Sequence, residues 1–206
     1  MNLRKLEKTE HEKTRRLWEE IFTEDTEAFL DYYYRIKTAE NEIFVIEEAQ
    51  TIRSMLQLNP YRLRVNKACF SANYIIAVAT DEKYRKRGLM GRLLKHAMRE
   101  MYDRKEPFTF LMPAAEAIYY PYDFRFVYNQ GQCEVSGREQ KEETLKIVLA
   151  DEKDCAKLAE FANQFLKDEQ VVTVRDEKYY RTVLAEQKSE HGGIVMAKRD
   201  DHIVGM

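Results

Sequence analysis

Cysteine is scarce in this chain, and its pattern excludes two common ways of stapling a small fold. Cys69, Cys133 and Cys155 are an odd number, lie far apart and follow no C-x-x-C spacing. Neither a disulfide framework nor a zinc site is indicated, no metal is predicted, and a reducing, cytoplasmic setting is expected. Long apolar runs are missing as well, since nothing approaches the roughly 20 residues that a membrane-spanning helix needs. The opening MNLRKLEKTEHEK has no apolar signal region, so no membrane partner is expected. Basic charge is not in excess: 34 Lys and Arg face 36 Asp and Glu, for a net charge of -2, which argues against a nucleic-acid partner held on a basic face. His11, His96, His191 and His202 cluster with nothing. Two familiar phosphate loops are absent too, because neither GxxxxGK followed by Ser or Thr nor GxGxxG occurs.

What the chain does hold is a local concentration of positive charge at one joint. Residues 75–101, IIAVATDEKYRKRGLMGRLLKHAMREM, read as an apolar strand, a basic turn closed by Gly88, and an amphipathic helix. Leu89, Met90, Leu93, Leu94, Ala97, Met98, Met101 and Tyr102 recur at the three-and-four spacing of one helix face, with Arg92, Lys95, Arg99 and Asp103 on the other. The first N–H groups of such a helix have no intrahelical partner, and the macrodipole makes that end positive, so an anion is both bonded and charge-compensated there. Gly88 has no Cβ to hold the anion away. Arg85, Lys86 and Arg87, with Lys83 and Arg92 nearby, add mobile cations. The ligand predicted at this joint is a polyanion.

The turn resembles the acetyl-CoA loop of the GNAT acetyltransferases, written Arg or Gln, two residues, Gly, one residue, Gly or Ala. Arg85, Gly88 and Met90 hold those places, Met90 being a departure. A second segment, LMPAAEAIYYPYDFRFV at residues 111–127, is similar to the enhanced intracellular survival branch of that family, where Ile-Tyr, a turn and Phe-Gly-Tyr follow the fifth strand. The resemblance implies that Tyr119 is the general acid. It implies that the backbones of Val78 and Thr80 hold the acetyl-pantetheine arm, and that Arg85, Lys86, Arg87, Gly88 and Leu89 hold the pyrophosphate. Set beside the branch, Arg125 stands after Phe124 in place of glycine. Members of the branch carry two GNAT-like units and a further carboxy-terminal domain, and form hexamers, which implies a homo-oligomer for a full-length protein.

At 206 residues and 44% hydrophobic, the chain can bury one good core and part of a second. Residues 3–7 read as a strand, and Thr9-x-x-Glu12 as a capping box opening a helix whose Leu17, Trp18, Ile21 and Phe22 share a face. A second helix has the stripe Phe29, Tyr33, Ile36. Residues 43–47 and 51–58 form a hairpin around Ala49-Gln50; Pro60 ends or bends the latter strand. A strand is expected at 108–112. The predicted class is α/β, a mixed, mostly antiparallel sheet flanked by helices as in the GNAT fold.

Residues 137–144, GREQKEET, read as the linker, and the chain beyond it repeats the beginning. A strand at 145–149, Asp151, and Cys155, Leu158, Ala159, Ala162, Phe165 and Leu166 at helical spacing mirror the opening strand and helix. IVMAKRDDHIVGM, residues 194–206, lies over IFVIEEAQTIRSM, residues 43–55, without a gap. The expected organisation is an acetyl-CoA-binding domain at 1–137 and the start of a second GNAT-like unit at 138–206, the chain being the front part of a longer polypeptide.

The chemistry expected is acetyl transfer from acetyl-CoA to a primary amine of a small molecule, an aminoglycoside-like compound or a lysine side chain. The amine must lose a proton and the departing thiolate gains one, which a phenol at Tyr119 can supply. Backbone N–H groups at Val78 and Thr80 are candidates to orient the pantetheine and, where one points at the carbonyl, to stabilise the oxyanion. Glu24 and Asp25, between the first two helices, and Glu116, three residues before Tyr119, are the candidate counter-charges for an ammonium. Trp18, Phe22, Tyr32, Tyr33 and Tyr34 are candidates to wall the site, although Trp18 also lies on an apolar helix face and so reads as core. In the related branch the base is a distant carboxy-terminal carboxylate, which no residue here matches. A non-catalytic CoA-binding or interaction module on the same scaffold is the alternative.

Overall fold

In the computed structural model, which describes residues 1–127, 131, 134 and 145–206, four strands form the backbone of the first sheet. β1 (Asn2–Lys5), β2 (Glu42–Glu48), β3 (Thr51–Val65) and β4 (Ala68–Thr80) lie in the order β1-β2-β3-β4, each pair antiparallel. The four successive apolar residues from Ile43 to Ile46 are all fully buried, because this sheet is covered on both faces. On one face Ile43, Val45, Ile52, Met55, Ala77 and Ala79 pack with helices α1 (Arg15–Ile21) and α2 (Glu27–Arg35). On the other, Phe44, Ile46, Leu56, Leu58 and Ile75 meet Leu89, Leu93, Leu94, Ala97 and Met101 of α3 (Leu89–Asp103). The mixed α/β architecture and the apolar stripe of α3 are therefore as predicted, except that Tyr102 is exposed.

Several local details differ from the sequence reading. The capping box before α1 lies at Glu7 and Glu10, not Thr9 and Glu12. The Glu7 N–H donates to the Glu10 carboxylate at 3.2 Å and opens a 3-10 turn, Lys8–Thr14, so the α-helix starts at Arg15. Glu10 is the better cap because Arg4 and Lys13 also pair with it, at 2.7 and 2.8 Å. Pro60 neither ends nor interrupts β3, which runs on to Val65. It stands two residues past the end of the β2 ladder at Leu58, on an edge that offers no bond for its missing N–H to forfeit. The strand expected at 108–112 is reduced to one parallel bridge, Tyr74 to Phe110, tied by Ile75 N–H to the Phe110 carbonyl at 2.9 Å.

Residues 145–206 build a second, three-stranded sheet from β5 (Lys146–Leu149), β7 (Val195–Arg199) and β8 (His202–Gly205), in the order β5-β7-β8. Helices α5 (Cys155–Phe165) and α6 (Glu177–Ser189) cover one face around Leu158, Ala162, Tyr180, Leu184 and Met196. The short β6 (Val171–Thr173) leaves this sheet and extends the first one, pairing with β3 at Leu63, Arg64 and Val65. α6 runs beside α2, with the Tyr32 hydroxyl donating to Glu186 at 3.1 Å and the Thr26 hydroxyl to Glu190 at 3.0 Å.

The two hairpins share more than their sequence pattern. Ala49-Gln50 and Asp200-Asp201 are both two-residue turns with positive φ at each position, 49° and 63° against 48° and 62°. Both hairpins are bulged at the same place, with Arg53 the extra residue in the first and Val204 in the second. The reciprocal cap recurs as well, the Asp151 N–H donating to Asp154 at 3.1 Å as Glu7 does to Glu10. The predicted linker at 137–144, the boundary within it, and Cys133 lie outside the described residues. Among the described residues no helix is long and apolar enough to cross a membrane.

Candidate active site

The basic joint forms where β4 gives way to α3. Asp81 ends the strand and caps a short 3-10 turn, Glu82–Tyr84, by accepting from the Lys83 N–H at 3.0 Å. Arg85 is then extended, Lys86 is left-handed (φ 61°), and Gly88 (φ 73°, ψ 12°) is the residue on which α3 begins. A positive φ at the helix start is what makes glycine the natural choice there. A Cβ on Gly88 would meet nothing within 4 Å, so the space above it is open. The first intrahelical bond runs from the Arg92 N–H to the Gly88 carbonyl at 3.1 Å. The N–H groups of Leu89, Met90 and Gly91 therefore have no intrahelical acceptor. Arg85, Lys86 and Arg87 are all exposed beside them. An open cradle, helix-start donors and exposed cations fit the phosphates of acetyl-CoA. Met90 does not obstruct this, because its side chain packs into the apolar cluster under α3.

The preceding strand carries a feature invisible in the sequence. Met55 pairs with Ala79 but Gln57 with Ile76, so β4 holds a bulge whose Ala77 is left-handed at φ 51°. The bulge inverts the alternation: Ile76 and Ala77 both face α1 and α2, and Val78 turns to the α3 side. Beyond the Tyr74 bridge, no strand pairs with the outer edge of residues 76–80 among the described residues. This open edge runs directly into the basic turn. Thr80 is steadied from the β3 side, its hydroxyl 2.8 Å from that of Ser54, which also donates to the Ala79 carbonyl at 2.9 Å. Arg85 reaches back to the Thr80 carbonyl at 3.4 Å and to Glu82 at 3.4 Å.

Tyr119 ends a single helical turn, α4 (Glu116–Tyr119), with Glu116 exposed at its start, three residues away on the same side. The Tyr119 ring is half-buried against the cluster that also holds Val78, Leu89 and Met90, and it meets Phe124 edge-on at 5.9 Å. Burial pushes its phenol above the ordinary value, and nearby Tyr74 adds to the effect. The segment is clamped to α3 by Tyr122, whose hydroxyl lies so close to Gly91 that a Cβ there would stand 2.3 Å away. The sequence offered a weak signal for this, a glycine inside an amphipathic helix.

The left-handed position of the turn is Asp123 (φ 66°), and Arg125 has no positive φ. Asp adopts that conformation more readily than most residues. Arg125 folds back instead, over the Tyr120 ring at 3.8 Å and onto the Phe124 carbonyl at 2.8 Å.

The remaining candidates sit apart. Asp25 accepts the Trp18 indole N–H at 2.7 Å, and Thr26, not Asp25, caps α2 through the Phe29 N–H at 3.1 Å. Glu24 is exposed in the same turn, at the end of α1, which packs on the face of the sheet opposite α3. Trp18, Tyr33 and Tyr34 are core residues; Trp18 and Tyr33 rings lie 4.6 Å apart, and the Tyr33 hydroxyl donates to Gln57 and Asn59 at 3.3 and 3.2 Å. Tyr32 is buried under α6, and Phe22 packs at the edge of the same cluster.

Comparison with known proteins bears on this geometry. The sequence pattern of the family described as an acetyltransferase (GNAT) domain matches residues 2–127. Among solved structures, a probable N-acyltransferase from Enterococcus faecalis V583 is similar over 98% of this chain and 53% of its own, with a TM-score of 0.71 and 16% identity. A GCN5-related N-acetyltransferase from Kribbella flavida is similar over 100% of this chain and 59% of its own, with a TM-score of 0.68 and 16% identity. A predicted acetyltransferase from Clostridium acetobutylicum, solved with acetyl-CoA, covers 65% of this chain and 95% of its own, with a TM-score of 0.56 and 15% identity. At these identities the likeness is one of fold. The chain spans little more than half the length of the first two. No curated relative matches the sequence.

Proposed function

The chain belongs to the GNAT acetyltransferase family, and from that premise we propose that it transfers an acetyl group from acetyl-CoA to a primary amine. In this reading Arg85, Lys86, Arg87, Gly88 and Leu89 hold the pyrophosphate at the start of α3, and the backbones of Val78 and Thr80 hold the acetyl-pantetheine arm. Acetyl-CoA supplies an activated thioester. Tyr119 holds a proton on its hydroxyl for the departing thiolate, and its burial keeps that proton in place through neutral pH. Glu116 and Glu24 are the exposed carboxylates that attract the ammonium form of the acceptor, whereas Asp25 is engaged by the Trp18 indole. The observation that carries the reading is the single apolar cluster joining Leu89 of the anion cradle, Val78 of the bulged strand and Tyr119. Three otherwise separate segments are held together by it on the α3 side of the sheet.

The acceptor class is a small-molecule amine, an aminoglycoside-like compound or a lysine side chain. The Tyr119 segment supports placement in the enhanced intracellular survival branch, and with it assembly as a homo-oligomer. Residues 138–206 read as the start of a second GNAT-like unit, which the shared turn, bulge and reciprocal cap support. Calorimetric titration with acetyl-CoA, followed by thiol release against polyamines, aminoglycosides and lysine peptides, tests the proposal. Saturable binding and amine-dependent thiol release are expected. Binding without release by any amine would leave the non-catalytic CoA-binding alternative, and no binding would leave only an interaction module on the same scaffold.

A further inference from the structure

The three cations of the acetyl-CoA loop are not equivalent. Arg85 is engaged with Glu82 and the Thr80 carbonyl. Arg87 has no carboxylate or carbonyl partner among the described residues; its guanidinium lies over the Tyr84 ring, 4.8 Å from the centroid. The same ring takes a second guanidinium, that of Arg53, at 4.5 Å. Two like charges share one ring because the surroundings compensate them. Arg53 pairs with Asp81 at 2.9 Å, and the Tyr84 hydroxyl donates to Glu48 at 2.8 Å, which leaves the ring more electron-rich for a cation. Asp81 ties the group together, since it also receives the Lys83 N–H and its own N–H bonds the Arg53 carbonyl at 2.9 Å.

Arg53 is the extra residue of the β3 bulge, and bulges commonly re-aim a side chain. The second hairpin has the same bulge with Val204 in that place, and Arg199 in the place of Glu48. No basic loop accompanies it among the described residues. The arginine and the glutamate thus occur in the hairpin beside the anion cradle and are missing from its structural twin.

We infer that Tyr84 and Arg53 are positioning residues, which hold the Arg87 guanidinium toward a phosphate of acetyl-CoA at the start of α3. The inference rests on the acetyl-CoA reading above and deepens it. Arg87 keeps all its N–H donors available for the anion, and the ring lowers the freedom it would otherwise lose on binding.

Calorimetric affinities for acetyl-CoA test it, measured for the unaltered chain and for Tyr84→Phe, Tyr84→Leu, Arg53→Gln, Arg87→Ala and the double variant Tyr84→Leu with Arg87→Ala. Loss of the ring in Tyr84→Leu is expected to weaken binding about fivefold, and Tyr84→Phe, which keeps the ring, by no more than about twofold. Arg53→Gln is expected to follow Tyr84→Leu in direction. The double variant should bind no more weakly than Arg87→Ala alone, because the ring has nothing left to position. Unchanged affinity in Tyr84→Leu, or losses that simply multiply in the double variant, would overturn the inference while leaving the acetyl-CoA reading standing. Failure of the unaltered chain to bind acetyl-CoA overturns both.

Discussion

The two hairpins of this molecule have the same turn, bulge and preceding cap, and Val45 and its counterpart Met196 are both fully buried, yet their other faces differ. Phe44 on β2 is 0% exposed, whereas Val195, its counterpart on β7, is 51% exposed. Phe44 lies beneath α3. Val195, together with Ile147 and Leu149 on the adjoining strand, faces away from α5 and α6 and has no such cover among the described residues. The hairpin is thus a scaffold indifferent to function. What makes the first one a candidate active site is the extended β4, its bulge at Ala77, the glycine-closed basic turn and the helix that turn starts.

The sharpest way to break that comparison is to truncate the matching position of each sheet to alanine. Phe44→Ala is expected to lower unfolding free energy by about 3–5 kcal/mol, and Val195→Ala by less than about 0.5 kcal/mol, measured by denaturant titration. Equal losses would mean that the bare face of the second sheet is covered after all. Next in size, Gly88→Glu places a carboxylate in the open cradle and strains a left-handed backbone. Acetyl-CoA affinity should fall about 100-fold or more, and an unchanged calorimetric titration would move the anion site elsewhere. Tyr119→Phe should reduce turnover about 100-fold while leaving acetyl-CoA affinity alone. Full turnover without the hydroxyl would end its assignment as the acid.

Smaller effects come from contacts peculiar to the first half. Gly91→Ala forces a methyl group onto the Tyr122 hydroxyl, so a loss of about 1–3 kcal/mol in stability is expected, read from thermal melts. Replacing Tyr122 by Phe in the same background should restore part of it. The smallest effect is in pH. His11 is buried, with Nδ1 3.1 Å from the Thr38 carbonyl, and burial depresses its pKa from 6.5. The unfolded chain therefore binds this proton more readily, and stability at this site falls as pH drops below about 6.5. Cys155 holds the corresponding buried position of the second half. Denaturant titrations at pH 7.5 and 5.5 should show a smaller difference in His11→Gln than in the unaltered chain.

Much of the fold was legible because its signals are local. The stripe of α3, the Ala49-Gln50 hairpin and the gapless match between residues 43–55 and 194–206 each depend on residues a few positions apart. The basic turn was legible for the same reason. The Thr9 box failed because Glu7 and Glu10 compete for the same role and Arg4, from a neighbouring strand, settles the contest. Pro60 was misread because its tolerance depends on where another strand stops. The left-handed alanine in β4 had no signal at all, since alanine carries no preference for that conformation. Asp25 looked like a free counter-charge until the Trp18 indole was found bonded to it.

By itself, the sequence determined the periodic elements, the glycine-closed cationic helix start and the existence of a repeat, because spacing and turn chemistry act over one or two turns of chain. Tertiary structure alone decided which segments meet beside the first hairpin. That choice depends on the sheet face that α3 covers, on a bulge imposed by pairing with β3, on Arg53 reaching Tyr84 and Asp81 in the turn, and on Tyr119 reaching the start of α3. Contacts between distant segments have no period to read, so only folding reveals them.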